Sequence, residues 1–304
     1  MVVEFESVGK QFKKLKALQA VSFQIMEGEV LGFIGPNGGG KTTTARLMLG
    51  FYKPTEGIVR IFGRNPATEF HRIGPLVGAM LEQPGIHDGL TAYEYLQFYG
   101  GLFRMSSADC EARSQELLKL VGLSDRASGL LKAFSKGMRQ RVSMARSLLN
   151  RPRLMILDEP FDALDFESRR IILDLLPRLS KEEGTSVFVT SHNLAEVEEI
   201  SNRVAIIKQG RIVAIDKMES LRKQVGSSTL LVVSLARDYP KEKLEQLVPH
   251  AEYRRKDRTL VFQLDTVNGR QDDLLMHLLK SGISINSVDR QSASLEDVYF
   301  ELTK

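Results

Sequence analysis

Gly35-Pro36-Asn37-Gly38-Gly39-Gly40-Lys41-Thr42 decides how the rest of this sequence is read. The spacing is Gly, four free positions, Gly, Lys, then Ser or Thr, the pattern of a phosphate-binding loop. With Gly at about 7% of ordinary sequence, a chance match in a chain of this length is on the order of one in a hundred. The flanks fit as well. Val30-Leu31-Gly32-Phe33-Ile34 reads as a short buried strand, and Thr43 to Leu49 reads as a helix closed by Gly50. Strand, glycine loop and helix are the context that this pattern requires.

The chemistry follows from those residue types. Glycines let the backbone fold tightly around an anion, because no Cβ blocks the approach. Successive N–H groups then converge on phosphate oxygens, and the helix adds the positive end of its dipole. In this pattern Lys41 is expected to reach the β- and γ-phosphates of a bound nucleotide, and the Thr42 hydroxyl to ligate Mg²⁺. A turn that binds nothing needs neither the lysine nor the threonine.

The bulk properties set limits. A chain of 304 residues is long enough for two domains. Apolar content of 42% and charged content of 26% are those of an ordinary globular protein. A net charge of +4 is mild for this length and gives no reason to expect a nucleic-acid partner, while weak attraction to an anionic membrane surface fits it. The single Cys110 excludes an intrachain disulfide and a cysteine-cluster metal site. The start, Met1 to Glu6, lacks the basic region and apolar core of a signal peptide. No apolar run approaches the roughly 18 residues of a membrane helix. The expectation is a cytoplasmic protein whose membrane attachment comes through a partner.

Along the first part of the chain, Val2 to Ser7 and Ala20 to Ile25 read as strands. Between them lies Phe12, which either stacks on a nucleotide base or sits in the core; position alone does not choose. Gln83 follows the apolar stretch Val77 to Leu81, where a strand breaks into a loop, and by itself it is an ordinary loop glutamine. From Thr91 to Leu149 the pattern is helical. Thr91 and Glu94 form a capping box, and Ser135 is the N-cap of a helix bearing Met138, Val142 and Ala145 on one face. That helix start either is a simple cap or binds a second anion, through Ser135 and the Gly137 N–H.

Leu154-Met155-Ile156-Leu157 then reads as a parallel strand buried on both faces, ending in Asp158-Glu159. Open α/β sheets place ligands at that strand end. There Asp158 can hold the Mg²⁺ site and Glu159 can polarise an attacking water. Asp165 caps the next helix. A further strand, Ser186 to Thr190, delivers Ser191 and His192 to the same edge, where His192 can contact the γ-phosphate. Val204 to Lys208 and Arg211 to Ile215 form a hairpin about Gln209-Gly210.

After Val225-Gly226-Ser227-Ser228, read as a linker, the pattern becomes strand Thr229 to Leu235, helix Tyr239 to Leu247, strand Glu252 to Arg255 and strand Thr259 to Leu264. Helix Gln271 to Lys280 and strand Ile283 to Val288 complete a βαββαβ order, which is ferredoxin-like. Ser294 caps a last amphipathic helix. No catalytic constellation occurs in this part, and dimer support or regulation is its expected use.

Taken together, these residues resemble the ATP-binding cassette (ABC) ATPase family over about residues 1 to 220. Gly35 to Thr42 resembles its P-loop, Gln83 its Q-loop glutamine, Leu154 to Asp158 its Walker B strand, Glu159 the catalytic glutamate, Phe161 to Asp165 the D-loop and His192 the switch histidine. The resemblance implies nucleotide contacts from Phe12, Gly35, Pro36, Asn37, Gly38, Gly39, Gly40, Lys41, Thr42 and Thr43. It implies a metal site of Thr42, Gln83 and Asp158. The family signature Leu-Ser-Gly-Gly-Gln is replaced by Phe134-Ser135-Lys136-Gly137-Met138; Ser135 and Gly137 remain, while Lys136 and Met138 stand for Gly and Gln. That variant, with the ending Ser294 to Phe300, is similar to the ATPase subunits of drug, antibiotic and sodium exporters.

The expectation is therefore an α/β P-loop NTPase sheet over residues 1–224, with a helical subdomain inserted at about 88–149. A small α+β ferredoxin-like domain over 229–304 follows. The family implies ATP and Mg²⁺, a homodimer whose Ser135, Lys136, Gly137 and Met138 contact the partner copy's ATP, and a multi-spanning permease on the inner face of the cell membrane. A soluble ATP-driven clamp on protein or nucleic acid is the alternative. Against it stand the absence of a long heptad run between P-loop and signature and the presence of one cassette, not two.

Overall fold

The computed structural model describes residues 1–81, 85–162, 164–224, 229–247, 252–254, 258–264, 270–291 and 294–303. They form two compact units, Met1–Lys217 and Met218–Lys304.

In the first unit, β1 (Val3–Phe12) and β2 (Leu15–Ile25) form an antiparallel hairpin, followed by β3 (Val30–Ile34), α1 (Lys41–Met48) and β4 (Glu56–Ile61). Then come α2 (Pro66–Ile73), β5 (Val77–Met80), α3 (Ala92–Leu102), α4 (Ser107–Leu120), α5 (Lys136–Ser147) and β6 (Leu154–Asp158). The unit closes with α6 (Phe166–Glu183), β7 (Ser186–Ser191), α7 (Leu194–Ile200), β8 (Arg203–Lys208) and β9 (Arg211–Asp216).

The central sheet has the order β5-β6-β7-β3-β8-β9, parallel except for the last pair. Every residue of β3, β6 and β7 is buried. Alternate residues serve opposite faces, which is why these strands read as unbroken apolar runs. Met155, Leu157, Val187 and Val189 join the core shared with α3, α4, α5 and α6. Leu154, Ile156, Phe188, Leu31 and Phe33 join the core shared with α1 and the second sheet, β2-β1-β4. Phe5, Phe23, Phe33 and Phe188 link those two sheets through ring contacts of 4.5, 5.6 and 5.2 Å.

Sequence punctuation places the helices. Thr91 and Glu94 close a reciprocal capping box on α3. Ser106, Ser135 and Asp165 each accept an N–H from the first turn of α4, α5 and α6. α6 ends on Gly184 at φ 67°, a left-handed C-terminal residue. Two expectations shift. Lys10-Gln11-Phe12 belongs to β1 itself and pairs with Leu15, Lys16 and Leu18 of β2 rather than joining two strands. Register shifts in β1, with positive φ at Ser7 and Lys13, hide its alternation from a sequence scan. α2 was not expected, although Asn65 caps it and Pro66 occupies its first turn.

The second unit opens with α8 (Met218–Gln224), then β10 (Thr229–Leu235), α9 (Lys241–Leu247), β11 (Glu252–Arg254), β12 (Thr259–Leu264), α10 (Arg270–Lys280), β13 (Ile285–Gln291) and α11 (Leu295–Thr303). Its sheet runs β11-β12-β10-β13 with every neighbour antiparallel, the ferredoxin-like arrangement. Leu231, Val233 and Leu235 of β10 pack with Leu244, Leu260, Phe262, Leu278 and Ile283. The final strand starts two residues later than the pattern suggested, because Ile283 is buried without being in the ladder. α8 packs on α11, with Leu221, Leu295 and Val298 fully buried. The stretch 225–228, read as a linker, lies outside the described residues.

Candidate active site

Three parallel strands end side by side, with Ile34 beside Ser191 and Asp158 beside Thr190. This is the edge where an open α/β sheet presents its ligand site. The loop leaving β3 depends on its glycines, as Gly35 and Gly40 illustrate. A Cβ on Gly35 would lie 2.3 Å from the Ile207 carbonyl of β8, so any larger residue would push the loop off the sheet. Gly40 has φ 116°, and its Cβ would meet Leu18 and the Ala17 carbonyl of β2. Lys41 then starts α1, and Thr42 and Thr43 fill its first turn, where N–H groups lack helical acceptors. The first turn carries no acidic residue of its own to offset its positive field.

Lys41 is 5% exposed, and its ammonium has three acceptors. It donates to the Gly35 carbonyl at 2.8 Å and to the Pro36 carbonyl at 3.4 Å, and it pairs with Glu159 Oε1 at 3.2 Å. The other Glu159 oxygen, Oε2, accepts the His192 backbone N–H at 3.2 Å and lies 3.0 Å from His192 Nδ1. Asp162 Oδ1 lies 3.8 Å from the same ring nitrogen. Both oxygens of the glutamate are thus engaged, one by the phosphate-loop lysine and one by the histidine. The Glu159 backbone is itself strained, at φ 51°. Its N–H is held by Thr190, at 3.0 Å to Oγ1 and 3.2 Å to the carbonyl.

Asp158 is fully buried. Its Oδ1 accepts the Thr190 hydroxyl at 2.7 Å, while Oδ2 has no hydrogen-bond partner. A buried carboxylate oxygen without a partner is costly unless a cation or its water completes it. An oxygen-only donor set of Asp158 and Thr42 suits a hard ion that keeps several waters, so the residues present fit Mg²⁺. Gln83, the third expected metal ligand, lies outside the described residues.

The other expected contributors stand on neighbouring elements. Phe12, half-buried at the end of β1, meets Tyr52 edge-on at 5.0 Å, and the Lys10 ammonium lies 4.8 Å from its ring centroid. It is a surface ring rather than a core one. Ser135 Oγ accepts the Met138 N–H at 3.2 Å. Lys136 is exposed, Gly137 is buried and Met138 is half-buried. Among the described residues, none of these four bonds to the 35–43 loop of its own chain. Asp165 accepts the Ser168 N–H at 2.8 Å, and bonds from Ser168 hold its carboxyl below the usual range.

Two residues escaped the sequence reading. Thr190 bonds the Asp158 carboxylate and the Glu159 backbone N–H, and the parallel register Asp158↔Thr190 is the signal that would have found it. Gln140, 5% exposed on α5, donates to the Pro160 carbonyl at 3.2 Å and ties the signature helix to the turn after Glu159. Behind His192, Glu196 pairs with Arg169 at 3.2 Å, and burial raises its carboxyl above the ordinary value.

A family model described as ABC transporter matches residues 18–162. A second, described as the C-terminal domain of DrrA1-3-like ATP-binding proteins, matches residues 217–303. The chain is 30% identical to the uncharacterized ABC transporter ATP-binding protein YxlF of Bacillus subtilis, over 99% of both chains. It is 32% identical to a fluoroquinolones export ATP-binding protein of Mycobacterium tuberculosis, over 94% of this chain and 87% of that one. Among solved structures it is similar to a dimeric ATP-binding cassette in a post-hydrolysis state bound to ADP and Pi. That match has a TM-score of 0.66 and 29% identity, and covers 71% of this chain and 98% of the other.

Proposed function

Because the chain belongs to the ABC transporter family, as an ATP-binding and ATP-hydrolysing subunit, we propose that two copies close over two ATP molecules and drive a separate exporting permease. The observation that carries this reading is the Lys41–Glu159–His192 chain of contacts at the mouth of the glycine loop. A triphosphate on that loop competes with Glu159 for Lys41. Once Lys41 turns to the phosphates, Glu159 Oε1 is released to accept a proton from water. His192, still bonded to Oε2, keeps the carboxylate oriented and stands beside the γ-phosphate. Asp158 and Thr42 would hold Mg²⁺, which would supply positive charge to offset that of the phosphates.

One copy leaves the γ-phosphate open to solvent. The start of α5 in the second copy closes it, with the Ser135 hydroxyl and Gly137 N–H as donors and Lys136 as added positive charge. Hydrolysis removes the charge that this helix start holds, and the pair opens. The cycle shifts a bistable membrane partner between two states.

Among the described residues no helix is long and apolar enough to cross a membrane. Docking to a multi-spanning permease at the inner face of the cell membrane supplies the attachment. A groove of about 380 Å³, lined by Phe70, Tyr99, Phe103, Arg146 and Asn150, supports such a contact surface. Phe98 and Leu102 on the same α3 helix are exposed beside it. The export direction rests on relatives such as the fluoroquinolones export protein.

The test is the Glu159→Gln variant with ATP and Mg²⁺ on a sizing column with light scattering. The reading predicts a stable dimer with ATP and a monomer with ADP. A monomer under both conditions overturns it.

A further inference from the structure

We propose that Thr190 is a positioning residue for both carboxylates, setting the metal ligand and the catalytic base with one hydroxyl. This rests on the reading of Asp158 and Glu159 given above. Thr190 is fully buried on β7, directly beside Asp158 in the parallel register.

The direction of its hydrogen bonds follows from elementary donor and acceptor chemistry. The Glu159 N–H can only donate, so at 3.0 Å it uses a lone pair of Thr190 Oγ1. The single hydroxyl proton is then committed to Asp158 Oδ1 at 2.7 Å, a length typical of a charge-assisted O–H···O⁻ bond. A β-branched residue on a strand has few rotamers, so the hydroxyl has little freedom to leave.

Two consequences follow. With Oδ1 occupied, Oδ2 of Asp158 is the oxygen left for a metal ion or its water, and it is the one without a partner. The carboxylate is therefore turned before any cation arrives. On the other side, the Glu159 backbone at φ 51° is anchored by its N–H to both Oγ1 and the carbonyl of Thr190. That anchor sends the Glu159 side chain toward Lys41 and His192. Mutation of groups that orient metal ligands typically lowers metal affinity or activity by about 10–100-fold.

The experiment compares wild type, Thr190→Val and Thr190→Ser. The readouts are Mn²⁺ affinity in the presence of ADP by electron paramagnetic resonance, metal-free ADP affinity by fluorescence titration, and ATPase rate. Valine keeps the volume and removes the hydroxyl; serine keeps the hydroxyl. Thr190→Val should lose about 10–100-fold in Mn²⁺ affinity and in rate, while metal-free ADP binding stays within about twofold. Thr190→Ser should recover most of both. If the valine variant does not fold, Thr190→Ala carries the same comparison. Undiminished Mn²⁺ affinity in the variant lacking the hydroxyl, or equal damage from serine, overturns the inference. A wild-type chain that does not bind Mn²⁺ with ADP overturns the parent reading of the site, and the inference with it.

Discussion

Replacing Glu159 by Gln should make ADP bind more tightly, even with no divalent cation present. Lys41 and Glu159 are 5% and 11% exposed and 3.2 Å apart. At that distance and an effective dielectric of about 20, their attraction is about 5 kcal/mol gross. Most of it cancels, because Lys41 exchanges one anion for another and keeps the Gly35 carbonyl throughout. What remains is the difference between giving up a carboxylate and giving up a neutral amide. Hydrogen bonds to charged groups are worth about 1.5–3 kcal/mol and neutral ones about 1 kcal/mol, so the difference is about 0.5–2 kcal/mol. That corresponds to about two- to thirtyfold in affinity. The assay is titration with a fluorescent ADP in EDTA. Asp162→Asn controls for net charge alone, since Asp162 is near His192 but does not pair with Lys41; it should change affinity by less than about threefold. Equal affinities for wild type and Glu159→Gln, or equal gains in both variants, would refute the competition between phosphate and Glu159 for Lys41.

Lys41→Ala should abolish ATP binding in the same titration, and retained affinity would count against the glycine loop as the nucleotide cradle. Gln140→Leu leaves the buried Pro160 carbonyl without its donor and should cost roughly 1–3 kcal/mol, read as a fall in melting temperature of about 2–4 °C per kcal/mol. The Thr91 N–H and hydroxyl hold the Glu94 carboxyl below its ordinary value of 4.5. The capping box therefore contributes stability above that value and loses it as pH falls through the folded-state value. Thr91→Val removes the hydroxyl and keeps the N–H, so it should flatten part of the acid limb of stability against pH in urea unfolding; an unchanged limb would show that the hydroxyl carries none of it.

The sequence exposed those parts of the fold that local chemistry determines. The glycine loop, the caps Thr91, Ser135 and Asp165, and the buried strand Leu154–Asp158 are short-range signals, and each stands in the structure as a local element. The ferredoxin-like order of the second unit was legible because its strands and helices alternate in period. What the sequence concealed depends on distant partners. The Lys41–Glu159 pair joins residues 118 positions apart (159 less 41), and no periodicity encodes it. Thr190 looked like the last apolar-strand residue until the register set it against Asp158. Phe12 was ambiguous because the irregular β1 blurs the inward and outward sides; only the Tyr52 and Lys10 contacts mark it as a surface ring. Ile283 misled in the opposite way, since burial at 2% mimics a strand position outside the ladder.

One distance tests the central claim most directly. In a structure of the Glu159→Gln protein loaded with ATP and Mg²⁺, the account predicts the Ser135 hydroxyl of one copy within about 3 Å of a γ-phosphate oxygen seated on the glycine loop of the other. A triphosphate held by one copy alone, with Ser135 of every other copy well beyond hydrogen-bonding reach, would contradict it.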